Sequence, residues 1–355
     1  MEAFSPPLRI LGREKNMSPR IPFLGSLALA AALLGSGSVA AQEPTRAASE
    51  AFPPEDEAFQ PEEDEGASPL ALPIPEARLL EMRELLGEEP VGLQTDHFEL
   101  YFSIERLRVG NQLHDASSAA QLYAERLEEV HRLCRELMGV TPGPVFARKH
   151  LIVLTEGKDA FRKMALKVNG FAEGAGAYSF GVVSMFTTYW KGNPDFKTEG
   201  DLHEKVMHHV GHLFIMDYKG TNLGFPAWLH AGFAHVVEYK LAGRNRFFCY
   251  AEVPPESKWR SGDWPSLVRK DVARGRDISV SGLLRKPLDS LDYRDMAYSM
   301  SLVDFLLTKD QVRFEKLVTA LKTDPDTSRA LRDVYGWLLG DLEEAWKKHV
   351  LRAQN

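Results

Sequence analysis

The stretch Thr198–Lys240, TEGDLHEKVMHHVGHLFIMDYKGTNLGFPAWLHAGFAHVVEYK, decides how the rest of the chain is read. Its pattern predicts two helices joined by a glycine-containing turn. His208 and His212 are four residues apart, so both imidazoles leave one face of the first helix, about one turn apart. Asp201 and Glu204 share that face, with Glu204 placed to hydrogen-bond His208 from the preceding turn. Val206, Met207, Val210, Leu213, Phe214, Ile215 and Met216 make this helix apolar nearly all round, which predicts a central, buried position. The second helix opens at Pro226 and carries Ala231, His235 and Glu238 on a common face.

This arrangement resembles the zinc peptidases that carry HExxH on one helix and a glutamate ligand on the next. It is most similar to the gluzincin branch, with its thermolysin-like and aminopeptidase N-like members, and within it to the peptidase MA-like group of secreted proteins. The run Pro226-Ala227-Trp228-Leu229-His230-Ala231-Gly232-Phe233-Ala234-His235 resembles the PAWLNEGLAEY-type second helix of that group. Eighteen residues separate His212 from Ala231, the spacing at which aminopeptidase N-like members place the glutamate ligand. Three positions depart from the family. His209 stands where HExxH has its general base, Ala231 stands at the third zinc ligand, and His235 stands where relatives keep an acidic residue that orients a zinc histidine.

A catalytic zinc normally has three protein ligands and a water, with the motif glutamate acting as base on that water. Ala231 cannot bind metal, and His209 has a different reach and a near-neutral pKa. The expected outcome is a peptidase fold that has lost its zinc chemistry, with zinc absent. His208, His212 and His235 are the candidate ligands if a metal is held. Position 235 lies about 6 Å along the helix axis from 231, however, so the helix or the metal would have to shift. The resemblance further implies an edge strand ahead of the motif helix that pairs with extended substrate. Val182–Phe186, including Val183, Ser184 and Met185, is the candidate, an ordinary hairpin being the alternative. Tyr298, or Tyr293, corresponds to the tyrosine that assists the oxyanion in active relatives; a plain core tyrosine is the other reading.

The chain has 355 residues, 44% of them hydrophobic, enough for one large domain or two lobes. Residues 1–41 read as a secretory signal: Arg9, Arg13, Lys15 and Arg20 precede an apolar run, Ile21–Leu34, and Val39-Ala40-Ala41 offers small residues for cleavage. Met17 is an alternative start. The run is short for a membrane span, so no stable span is expected after cleavage, and an uncleaved anchor is the alternative. Residues 42–69 read as an acidic, proline-rich disordered linker; Glu43–Gly66 holds nine acidic residues against one basic. That segment's net of −8 accounts for all of the chain's formal charge of −7, leaving the rest nearly neutral, which argues against nucleic-acid binding. Cys134 and Cys249 are the two cysteines. Cys134 falls on a helix pattern, and the reading leans towards no disulfide.

Between linker and motif, helices are expected at Pro75–Leu86, Asp115–Met138 and Asp159–Val168. Strands are expected at His97–Phe102 and Leu151–Leu154, with paired strands over Ala177–Phe186. Beyond the motif, helical patterns cover Ser266–Ala273, Tyr293–Leu307, Gln311–Leu321 and Thr327–Tyr335. A last helix is expected to be capped by Asp341.

The resemblance implies an α+β, gluzincin-like fold. Residues 70–355 form the domain, with a mixed-sheet lobe at about 95–197, a helical lobe at about 198–353 and the motif helices at the cleft between them. The expected function is that of a secreted or periplasmic pseudopeptidase that binds peptide or protein without cutting it. A working metallopeptidase with substitute ligands such as His235 and a metal-holding or structural domain remain as alternatives.

Overall fold

A computed structural model describes residues 71–140, 148–170, 176–180, 183–220, 224–247, 259 and 262–352. Every described residue belongs to the second of the chain's two units, residues 42–355. The expected signal and linker, Cys249 and Val182 lie outside the described residues.

The architecture is α+β. A six-stranded mixed sheet has the order β1 (Leu72–Pro73), β2 (Val91–Gln94), β3 (Phe98–Phe102), β6 (His150–Thr155), β8 (Met185–Tyr189) and β7 (Ala177–Phe180). The central pairs β3–β6 and β6–β8 are parallel, while β1–β2, β2–β3 and β7–β8 are antiparallel. A separate hairpin, β4 (Arg106–Val109) with β5 (Gln112–Asp115), feeds α2 (Ala116–Met138).

Alternation along the strands builds two cores. Leu100, Phe102, Ile152, Leu154 and Phe186 enter the main core with α2 and the helical region. Their neighbours Tyr101, Leu151, Val153 and Met185 enter a smaller one with residues of α1 (Glu76–Leu86) and α3 (Lys158–Asn169). The sheet is thus covered on both faces, which suits its run of parallel strands.

Eight α-helices follow among the described residues: α4 (Glu199–Asp217), α5 (Ala227–Ala242), α6 (Trp264–Ala273), α7 (Val280–Leu283), α8 (Tyr293–Lys309), α9 (Gln311–Thr323), α10 (Thr327–Tyr335) and α11 (Leu339–Arg352). Helix α4 starts at a capping box in which Thr198 and Asp201 satisfy each other's backbone N–H groups. It is buried along nearly its whole length, as its all-round apolar pattern requires. Helix α5 packs against both α4 and α8. Two glycines allow these approaches: a Cβ on Gly211 would lie 3.0 Å from Cα of Ala234, and one on Gly232 would lie 2.5 Å from the carbonyl oxygen of Ser299.

Several expectations shift in detail. Pro226 is the N-cap residue and not the first helical one, since α5 begins at Ala227. Asp341 is not the N-cap residue of the last helix: α11 starts two residues earlier, and the Asp341 carboxylate accepts the Leu338 N–H at 2.8 Å from the third helical position. Within the Val182–Phe186 candidate, Met185 and Phe186 are not at an edge. Met185 and Phe186 belong to β8, which is hydrogen-bonded to β6 on one side and β7 on the other, so β7 is the outer strand at that end among the described residues.

Candidate imidazole and carboxylate site

Four imidazoles from α4 and α5 and one carboxylate from α5 meet where the two helices pack. His208, His235 and Glu238 are completely buried, and His209, His212 and His230 nearly so. Glu238 organises the cluster. Its Oε2 accepts from Nδ1 of His208 at 3.1 Å, from Nδ1 of His235 at 2.9 Å and from Nδ2 of Asn245 at 3.4 Å. Its Oε1 accepts the backbone N–H groups of Arg246 at 2.5 Å and Phe247 at 3.2 Å. Burial alone would raise this carboxyl, but the hydrogen bonds from His208 and His235 hold it well below the usual carboxylate range.

The network then runs through His208. Nε2 of His208 lies 3.2 Å from Nε2 of His212, and Nδ1 of His212 lies 3.1 Å from Nδ1 of His230. Burial, with neighbouring His235, lowers His208 to about 4; burial, with Lys322, lowers His230 to about 4. Burial and the neighbouring His208 push His212 well below the ordinary imidazole range. With all three rings neutral, the donors follow one another. His208 donates its Nδ1–H to Glu238 in a hydrogen bond, so its Nε2 accepts from His212, whose Nδ1 in turn accepts from His230.

His209, at the general-base position, does not join this chain. Its ring stacks on Phe186 of β8 with centroids 4.4 Å apart and planes 18° apart. Its Nδ1 is buried without a hydrogen-bond partner among the described residues. Burial and the neighbouring His208 push it well below the ordinary imidazole range. Glu204, expected beside His208, instead pairs with Arg244 at 2.7 Å and Arg246 at 3.4 Å. Tyr298 packs between Trp346 and Trp259, with Arg294 over its ring at 5.6 Å, and burial raises its hydroxyl to about 12. Ser184 sits in the turn before β8 with φ of 52°, its hydroxyl 2.5 Å from Nδ1 of His150; half-buried Val183 precedes it.

The residues fit a catalytic zinc only in part. Two ligands at about 2.0–2.1 Å from a tetrahedral ion stand roughly 3.3 Å apart, close to the Nε2–Nε2 separation of 3.2 Å between His208 and His212. The third ligand is missing because Ala231, fully buried, carries nothing beyond Cβ. Nor does His235 supply it. The ligand atoms that come within 4.8 Å of one another belong to His208, His235 and Glu238, gathered about the Glu238 carboxylate and not between His208 and His212. Neither Ala231, a buried methyl group, nor His209, stacked on Phe186, thus adds a polar atom to the His208–His212 pair. Glu238 was legible as sharing a face with His235, but its role as the acceptor for both imidazoles was not, because Arg246 and Phe247 complete it from beyond the helix.

No family model matches the chain, and no curated protein matches it. Among solved structures, the chain is similar to a mutant M1 zinc metallopeptidase from Deinococcus radiodurans, with 12% identity and a TM-score of 0.33. The match covers 74% of this chain and spans half the length of that one, at 50%. It is a distant, metallopeptidase-like similarity.

Proposed function

We propose that this chain is an exported, peptidase MA-like protein of gluzincin type that no longer hydrolyses peptides and instead binds an extended peptide or protein segment. The observation that carries the reading is Ala231. In the helix that should complete a zinc site, the ligand position is a buried methyl group. The base position agrees with it, since the His209 ring is stacked on Phe186. Peptide binding would use β7, the outer strand at that end among the described residues, by pairing of its main chain with an added strand. Export rests on the basic and then apolar character of residues 1–34, and amino-terminal sequencing of the mature protein tests it.

The decisive experiment compares wild type with the double variant His209→Glu, Ala231→Glu. Wild type should show no chelator-sensitive peptide hydrolysis, and the double variant should hold one more zinc per chain than wild type. Chelator-sensitive hydrolysis by wild type would overturn the loss of activity; no zinc gained by a folded double variant would overturn the position of the site. The cluster of His208, His235 and Glu238 favours a second reading, a closed metal-holding centre. That reading requires zinc in wild type that Glu238→Gln removes.

A further inference from the structure

We propose that His97, Glu128 and His131 form a separate metal site for a divalent transition ion of the zinc class, independent of the imidazoles on α4 and α5. His97 immediately precedes β3, and Glu128 and His131 stand three residues apart on α2, so they share a face of that helix. Helix α2 packs on β2 and β3, which brings the three side chains together. One ligand atom from each lies within 4.8 Å of the other two.

The carboxylate is held in a way that presents one oxygen. Oε1 of Glu128 accepts the Thr95 hydroxyl and, at 2.9 Å, the backbone N–H of His97. That leaves Oε2 facing the imidazoles, 2.7 Å from Nδ1 of His97. Anchoring one carboxylate oxygen so that the other is aimed is how surrounding groups prepare a metal ligand. His131 is fixed by its walls: its ring meets Phe98 and Phe214 edge-on at 6.0 and 5.3 Å. The ring of His97 stacks on His131 with centroids 3.6 Å apart. The His97 side chain is 31% exposed and is therefore the member that can turn, and it is also the route of entry.

Two imidazoles and one carboxylate suit zinc and its neighbours in the first transition row, not calcium or magnesium. Coordination would replace the short His97–Glu128 hydrogen bond and set the two ligand atoms roughly 3.3 Å apart, an opening a rotation of His97 can supply. The ion would clip the start of β3 to the middle of α2. A bare ion pair between His97 and Glu128 would account for neither the stacked His131 nor the anchored second oxygen.

The test uses the full chain, tag removed and stripped of metal, titrated with cobalt(II) as a visible probe and with zinc in competition. Thermal unfolding is followed in parallel, since an ion that binds only the folded state raises Tm. His97→Ala and Glu128→Gln, at partly exposed positions, should each lower uptake by one equivalent per chain. At the least they should weaken it by more than about tenfold and abolish the Tm increase. Circular dichroism confirms that both fold. No uptake by wild type, or uptake and Tm increase unchanged in both folded variants, would overturn the proposal.

Discussion

Glu238 shows what a single buried charge demands. Five donors converge on its two oxygens, from two imidazoles, one amide side chain and two backbone N–H groups. Glutamine at this position would keep one acceptor oxygen and turn an NH2 group towards donors. Glu238→Gln should therefore destabilise the fold by about 3 kcal/mol in urea unfolding, the scale of a broken buried pair. The imidazoles make a second prediction. Burial lowers His208 and His230 to about 4, and an unfolded imidazole takes its proton near 6.5. Between those values the unfolded chain binds protons that the folded chain refuses, so stability falls as pH drops from about 6.5 to about 4 and is retained above 7. A urea midpoint that stays level between pH 7.5 and pH 5 would show that these rings are not neutral and buried.

At the scale of elements, the contacts of α5 with α4 and α8 set the site. Gly232→Ala would drive a methyl group to 2.5 Å from the Ser299 carbonyl oxygen, on a helix backbone that cannot yield alone. A loss of about 1–3 kcal/mol is expected, typical of overpacking, and the imidazole cluster should loosen with it. Gly211→Ala, at 3.0 Å from Cα of Ala234, should cost less. Thr198→Ala removes one half of the capping box of α4 and should cost about 1 kcal/mol. Chemical denaturation of the three variants should rank them with Gly232→Ala worst.

For the whole molecule, the layers separate binding from chemistry. Among the described residues β7 is an outer strand of the sheet, while α4 and α5 enclose the imidazoles. If β7 receives a peptide, a proline at Ser179 should weaken binding of an extended peptide, read by fluorescence anisotropy. Folding should survive, because an outer strand tolerates the lost N–H. Equal affinity in wild type and Ser179→Pro would remove β7 from the binding surface.

Periodicity and caps alone determined most elements of this chain. The helices from Asp115, Tyr293 and Thr327 and the strand core Leu151–Leu154 all lie where apolar spacing and local capping put them. The joint placement of His208 and His212 followed, because a helical repeat is a local property. The α+β class was what the family resemblance implied, and the mixed sheet with its helical region agrees with it at that coarse level. Tertiary structure decided the rest. Strand neighbours depend on pairing across long sequence separations, so the interior position of β8 was invisible in its own residues. Hydrogen-bond partners depend on which segments fold back onto a helix. For that reason Glu204 goes to Arg244, and Glu238 takes both His208 and His235. His97 is far from Glu128 and His131 along the chain, and only the packing of α2 on the sheet makes neighbours of them.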